Sequence, residues 1–101
     1  MPSDRIYYTL LVYLREGQDP IYQAYENKVL PLLPKYNGRL ELRLKSNKTA
    51  PNQPDEIHVA SFPSVADFEA YRDDPERLNS AGMFQDSVAE AVLVQGVRID
   101  F

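Results

Sequence analysis

His58 is the one imidazole in this chain of 101 residues, and imidazole is the side chain best suited to proton transfer near neutral pH. The chain has no cysteine, which excludes disulfides, thiolate metal sites and thiol nucleophiles. Without a second histidine, and without ligand spacing among the carboxylates, the sequence predicts no metal site. His58 is therefore the candidate catalytic residue, although a lone histidine in a strand is more often a structural group with satisfied hydrogen bonds.

The aromatic content is the second chemical signal, since seven of the residues are tyrosine. Flat rings with phenol donors suit a pocket for an aromatic or polyketide-like ligand, and they equally suit a core whose hydroxyls reach its rim. Two arginines are candidate anchors for a carboxylate or phenolate, which a guanidinium binds bidentately, and each also suits a surface charge. The candidate substrate-binding residues are Tyr8, Tyr22, Tyr25, Arg43 and Arg72. With no glycine-rich phosphate loop and no nucleophile elbow, we expect no cofactor.

The charge of the chain bears on its partners and location. A formal net charge of −4 makes nucleic acid an unfavourable partner. Residues 28–48 are nevertheless basic, which suits either a solvated strand face or a patch that attracts an anionic molecule or an acidic partner surface. No apolar run of signal-peptide length follows Met1, and no stretch approaches the length of a membrane span. The sequence therefore predicts a cytoplasmic protein without a membrane partner, folded as one domain over residues 1–101.

The first half of the chain contains the elements that must position these residues. Residues 6–14 are apolar on both alternating sides, which predicts a strand covered on both faces at the centre of a sheet. Asp19-Pro20 is typical of a helix start, in which the carboxylate caps free N–H groups. Prolines at 31 and 34 predict a kink or a tight second half of this helix, and Asn37-Gly38 supplies the left-handed residue that ends it.

The second half completes the order of elements. Residues 39–45 alternate, which predicts a half-exposed strand with Leu40, Leu42 and Leu44 facing inward and Arg39, Glu41, Arg43 and Lys45 facing outward. Residues 46–56 predict a loop, and residues 57–62 a third strand. Ser64 with Asp67 forms a capping box for a second helix, which breaks at Asp74-Pro75. Residues 92–101 predict the last strand. The order β-α-β-β-α-β predicts an α+β fold of the ferredoxin-like kind, with four antiparallel strands and the helices on one face.

Because the strands are apolar on both sides, the face without helices needs a cover. A second copy of the chain supplies it most simply, so the sequence predicts a homodimer.

Two stretches, residues 25–40 and 56–71, carry a resemblance to a known family. The first resembles the joint of helix, lone glycine and strand in the dimeric α/β-barrel superfamily. The second resembles that superfamily's third strand, which enters the second helix through Phe-Pro-Ser and is followed by an Asp-Pro-Glu break, here Asp74-Pro75-Glu76. The chain looks most like the uncharacterised stress-associated and antibiotic-biosynthesis-monooxygenase-like branches. The resemblance implies a homodimer whose two sheets face each other as a barrel, and a pocket between each sheet and its helices.

Relatives in that superfamily include cofactor-free monooxygenases of aromatic polyketides, ring-rearranging isomerases and haem-binding enzymes. The matching motifs are structural, so they assign no catalytic residue here. Three functions remain open. The first is a cofactor-independent enzyme, monooxygenase- or isomerase-like, that acts on an aromatic or anionic organic molecule with His58 as acid or base. The second is a non-catalytic small-molecule binder or accessory dimer. The third is a haem protein with His58 as the axial ligand.

Overall fold

A computed structural model describes residues 4–100, in which the chain forms a four-stranded antiparallel sheet. The strands are β1 (Ile6–Leu14), β2 (Arg39–Lys45), β3 (Glu56–Phe62) and β4 (Val88–Val97). Their order is β2-β3-β1-β4, so β1 lies centrally as its two apolar faces predict. This is the ferredoxin-like arrangement, and the predicted fold class is confirmed. The last strand begins at Val88 rather than at residue 92 and continues through Gly96, while Phe101 lies outside the described residues.

The helices are α1 (Asp19–Val29), α2 (Val65–Arg72), α3 (Pro75–Asn79) and α4 (Ala81–Ser87), with a 3₁₀ helix at Leu30–Tyr36. Helix α1 begins at Asp19 as predicted, but no side-chain hydrogen bond caps it. The predicted tight second half is the 3₁₀ helix, which forms because its two prolines lack the N–H groups that an α-helix needs. Asn37 rather than Gly38 is the left-handed residue that ends it, with φ of 62°.

Helices α2 and α3 begin where the local sequence predicts that they should. The Ser64 hydroxyl accepts a hydrogen bond from the Asp67 amide at 3.1 Å, which confirms the predicted capping interaction. The predicted break at Asp74-Pro75 separates α2 from α3, and the Asp74 carboxylate accepts the Glu76 amide at 2.8 Å. The same carboxylate also accepts hydrogen bonds from Tyr36 and Lys35. These bonds fix α3 against the 3₁₀ helix and so determine where its side chains lie.

The core divides into two clusters of buried side chains on the helix side of the sheet. The first cluster contains Val12, Tyr22, Tyr25, Val29 and Val88. The second contains Tyr8, Leu33, Phe62 and Tyr71. The first cluster joins β1 to α1, and the second joins β1 to the 3₁₀ helix and α2, so the two together hold the helices on the sheet.

Strand β2 differs from its prediction because it contains a β-bulge. Leu40 pairs with Ala60, whereas Leu42 pairs with Val59, so one extra residue lies between them. An inserted residue moves every later side chain to the opposite face. Arg43 therefore lies opposite His58 on the helix side, while Leu42 and Leu44 lie on the open face of the sheet. The prediction that these leucines face inward and Arg43 outward is wrong for this reason.

Within residues 4–100, no helix is both long enough and apolar enough to cross a bilayer.

Candidate functional site

A cavity of about 180 Å³ lies between the sheet and the helices and is lined by members of both core clusters. Its apolar wall includes Leu10, Val29, Leu33, Phe62, Phe68 and Phe84. An engineered apolar cavity of about 150 Å³ holds a benzene molecule. The cavity is therefore large enough for an organic molecule of about that size. Its polar lining consists of Tyr8, Tyr25, Glu26, His58, Tyr71, Arg72 and Arg77.

His58, in the middle of β3, is 5% exposed and lies between two carboxylates. Its Nε2 is 2.9 Å from Glu56 Oε1, a hydrogen-bond distance, and its Nδ1 is 3.6 Å from Glu26 Oε2. Glu56 reaches the ring because residues two apart on a strand share a face. Glu26 reaches it from α1, which packs over that face. The imidazole thus lies between two carboxyl groups, of which Glu56 is the one within hydrogen-bond distance.

Glu56 is held ionised by its neighbours. Burial favours the neutral form, but hydrogen bonds from His58 and Gln23 and the charge of Arg43 together lower the pKa of the Glu56 carboxyl. Arg43 Nε donates to Glu56 Oε1 at 3.0 Å, and Arg43 Nη2 donates to Gln23 Oε1 at 2.7 Å. An ionised carboxylate can only accept hydrogen bonds, so His58 Nε2 must carry a proton. Nδ1 is then the ring nitrogen that is free to exchange a proton.

The pKa of the Glu26 carboxyl is shifted in the opposite direction to that of Glu56, although both carboxyls face the same imidazole. It is 4% exposed, and burial raises the pKa of its carboxyl against the opposing charges of His58 and Arg43. Among the described residues, His58 Nδ1 at 3.6 Å is the one basic side-chain nitrogen within 4.0 Å of this carboxyl. A carboxyl with a raised pKa in an apolar cavity is suited to act as a general acid or base. One proton can therefore be held either by Glu26 or by His58 Nδ1, at the cavity wall.

The far wall of the cavity carries Arg77, from α3. Its Nη2 donates to the Tyr25 hydroxyl at 3.1 Å, and its Cζ lies 4.6 Å from the centroid of the Tyr71 ring. Burial raises the pKa of Tyr25, so this phenol is neutral and can donate a hydrogen bond of its own. Arg77 thus places a positive charge in the same cavity as the Glu26 carboxyl.

The residues predicted as a site from the sequence are only partly brought together. Tyr8, Tyr25, His58 and Arg72 line the cavity, with the Arg72 side chain 54% exposed and 3.8 Å from Glu69. Tyr22 is fully buried in the first core cluster. Arg43 lies behind Glu56, and it orients His58 indirectly through that carboxylate. Lys35 and Lys48, from the basic segment, pair with Asp74 and Asp55.

Sequence reasoning missed Glu26, Glu56 and Arg77. A signal for Glu26 exists, because it follows Tyr22 by four residues on the apolar stripe of α1, where a carboxylate is unexpected. A signal for Glu56 also exists, since it precedes His58 by two residues on the same strand. Arg77 has no such signal, because its position depends on how α3 packs after the helix break.

Within residues 4–100, no group of three or more histidine, aspartate or glutamate side chains is arranged to hold a metal ion.

Comparison with known proteins supports the fold. No protein-family model matches the chain, and no curated protein matches it. Solved structures do match. A protein of unknown function from Rhodopseudomonas palustris is 21% identical with a TM-score of 0.82, and the match covers 98% of this chain and 85% of that one.

Two further matches are relevant. A dimeric ferredoxin-like protein of unknown function from Thermobifida fusca is 18% identical with a TM-score of 0.71, over 97% of this chain and 94% of that one. A hydroxynitrile lyase from Passiflora edulis is 14% identical with a TM-score of 0.71, over 99% of this chain and 98% of that one. These likenesses confirm the ferredoxin-like fold of this chain.

Proposed function

We propose that this protein is a cofactor-independent enzyme that transfers protons on a small organic molecule bound between its sheet and its helices. The observation that carries the proposal is the buried chain Glu26–His58–Glu56, which ends in the wall of an apolar cavity. Such a chain couples a carboxyl of raised pKa to an imidazole of fixed orientation. The arrangement fits the isomerase-like reading of the sequence, because an isomerisation needs a proton to be removed and returned.

Glu56, Glu26 and His58 have separate roles in this proposed reaction. Glu56, held by Arg43 and Gln23, keeps the proton of His58 on Nε2 and fixes the ring. Glu26 takes a proton from the substrate, and His58 Nδ1, 3.6 Å away, can accept it from Glu26 or hold it for return. The cavity wall is mainly apolar, which disfavours water that would compete for the proton. A hydroxynitrile lyase with this fold supports the proposal as an example of an enzyme on the same scaffold.

We also propose that the active form is a homodimer joined through the open face of the sheet. Leu42, Leu44 and Val94 lie on this face and are 46%, 45% and 53% exposed. An apolar surface of this kind on an isolated sheet favours burial against another protein. The Thermobifida fusca protein of the same fold is described as dimeric, which supports a second copy as the cover.

A non-catalytic binding protein is the second candidate. One observation favours it: His58 Nε2 is already committed to Glu56, and the ring is flanked by carboxylates as in a structural network. In that case the cavity would retain a ligand without converting it.

The test is proton exchange in D₂O, followed by NMR, with a panel of small ketones, aldehydes, unsaturated acids and an aromatic hydroxynitrile. We expect one class to exchange or convert, and Glu26→Gln and His58→Gln to slow that reaction about 100-fold or more. Glu69→Gln is the matched control, since this exposed glutamate lies outside the cavity lining. Full activity in Glu26→Gln would contradict the proposal. A ligand that is bound tightly and never converted would favour the binding protein.

A further inference from the structure

Arg77 is a partly buried arginine whose charge is not neutralised by an acidic neighbour. Within residues 4–100, no carboxylate oxygen lies within 4.0 Å of its guanidinium. The group is held instead by the Tyr25 hydroxyl at 3.1 Å and by the face of the Tyr71 ring. Neither contact supplies negative charge. A guanidinium removed from water in this way is usually paired with an anion.

The other two arginines near the site differ from Arg77. Arg43 Nε lies 3.0 Å from Glu56 Oε1, so its charge is matched. Arg72 lies at the rim, is 54% exposed and faces Glu69 at 3.8 Å, so water and a carboxylate share its charge. Glu26 lines the same cavity as Arg77, but its carboxyl contacts His58, and burial raises its pKa. Arg77 is therefore the cation of the cavity wall with unmet charge.

Two hydrogen-bond donors in the cavity lining also lack a partner, which is a separate observation from the unmatched charge of Arg77. Arg77 Nε and the Tyr8 hydroxyl are both buried, and neither has a hydrogen-bond partner among the described residues. Tyr8 is only 3% exposed, so bulk water does not satisfy its hydroxyl. Buried donors without partners are rare, because each one costs free energy until an acceptor meets it. A ligand with acceptor oxygens would satisfy both.

We propose that the substrate of this cavity is a small organic carboxylate, with its carboxylate bound by Arg77 and an apolar body about the size of a benzene ring. The size follows from the cavity volume of about 180 Å³. The proposal rests on the proposed function for the identity of the site, and it adds the chemical class of the substrate. In this arrangement the guanidinium neutralises the bound anion, and the apolar body lies in the cavity that Glu26 and His58 also line.

The test compares benzoate with benzamide, which has nearly the same shape without the charge. Both are titrated into ¹⁵N-labelled protein at pH 7, and binding is followed by the chemical shifts of cavity residues. We expect benzoate to bind about tenfold or more tightly than benzamide, because an ion-paired hydrogen bond is stronger than a neutral one. Arg77→Met should reduce benzoate to the affinity of benzamide. Arg15→Met, at an exposed arginine outside the cavity lining, is the matched control and should change benzoate affinity by less than about threefold.

The proposal would be overturned by equal binding of the two probes, or by a preference for benzoate that survives in Arg77→Met. It would also be overturned if benzoate did not bind at about 10 mM, a concentration at which even a weak fragment binds. Circular dichroism checks that each variant folds. If Arg77→Met does not fold, Tyr8→Phe serves instead, and it should weaken the binding of benzoate several-fold and affect the binding of benzamide less.

Benzoate selectivity without turnover of any compound would contradict the proposed function alone. Turnover of neutral compounds that does not depend on Arg77 would contradict this inference alone.

Discussion

At the scale of single residues, Glu26 is the point where stability and the proposed chemistry conflict. Its carboxyl occupies a position on the apolar stripe of α1, between Tyr22 and Val29, where an apolar side chain would pack better. Burial raises its pKa because the ionised form loses hydration that His58, at 3.6 Å, replaces only in part. Functional groups are often retained at such a cost to stability. The conflict gives Glu26 a measurable signature.

We predict that Glu26→Gln makes the protein more stable relative to wild type at pH 7 than at pH 4. The folded protein holds the Glu26 proton more tightly than the unfolded chain, whose carboxyl has a pKa near 4.5. Wild-type stability from this group is therefore fully present below that pH and is lost as pH rises through the higher folded pKa. Glutamine does not titrate, so the variant lacks this loss.

Thermal unfolding from pH 4 to pH 7 measures the effect, with Glu69→Gln as a surface control that should show no comparable trend. A difference between wild type and Glu26→Gln that is constant with pH would show that Glu26 is not buried as a carboxyl of raised pKa.

At the scale of elements, two local irregularities place the site. The 3₁₀ helix connects α1 to the start of β2, and the bulge after Leu40 turns Arg43 toward His58. Without the bulge, Arg43 would lie on the open face and Glu56 would lose its ion pair. Gly38 permits the close approach at this junction, because a Cβ there would lie 2.6 Å from Phe62 Cε1 and 3.0 Å from Leu33 Cδ2.

We predict that Gly38→Ala lowers the free energy of unfolding by about 1–3 kcal/mol, since the new methyl group overlaps a buried ring. Gly82→Ala is the matched control. A Cβ at Gly82 meets nothing within 4 Å, and alanine within α4 should stabilise the protein by about 0.5–1 kcal/mol. Urea unfolding measures both. Equal effects of the two substitutions would mean that the Phe62 ring does not pack against Gly38.

For the molecule as a whole, the helices cover one face of the sheet and leave the other face exposed. The helices bury the face that carries His58, whereas the open face retains exposed leucine and valine side chains. The proposed homodimer accounts for this asymmetry, because pairing two open faces removes apolar surface from water in both copies. The cavity lies on the helix side, so each copy holds its own proposed site.

We predict that Leu44→Lys converts the protein from dimer to monomer, because a lysine would have to be buried in the facing sheets. Leu78→Lys is the control, since Leu78 is 60% exposed on α3, away from the open face. Sedimentation velocity at about 50 µM, a concentration above the Kd of a stable dimer, distinguishes the two states. A monomeric wild type, or a Leu44→Lys variant that remains dimeric, would contradict the proposed interface.

The order and type of the elements could be predicted from the sequence because their signals are local. Alternation of apolar residues, prolines and capping side chains act over a few positions of the same segment. Thus residues 6–14 predict a central strand, Ser64 with Asp67 predicts the start of α2, and the prolines predict the tight second half of the first helix. These features hold in the structure because neighbouring residues enforce them whatever the rest of the chain does.

The fold class and the choice of His58 as a candidate follow from the sequence, whereas the groups around His58 follow from the tertiary structure. The face of the sheet on which Arg43 lies depends on a bulge, and that bulge exists only when β2 pairs with β3. Glu26, His58 and Arg77 line one cavity from α1, β3 and α3, which are distant in the chain. Contacts of this kind leave little local pattern, because burial, pKa and the shape of a cavity depend on packing between segments.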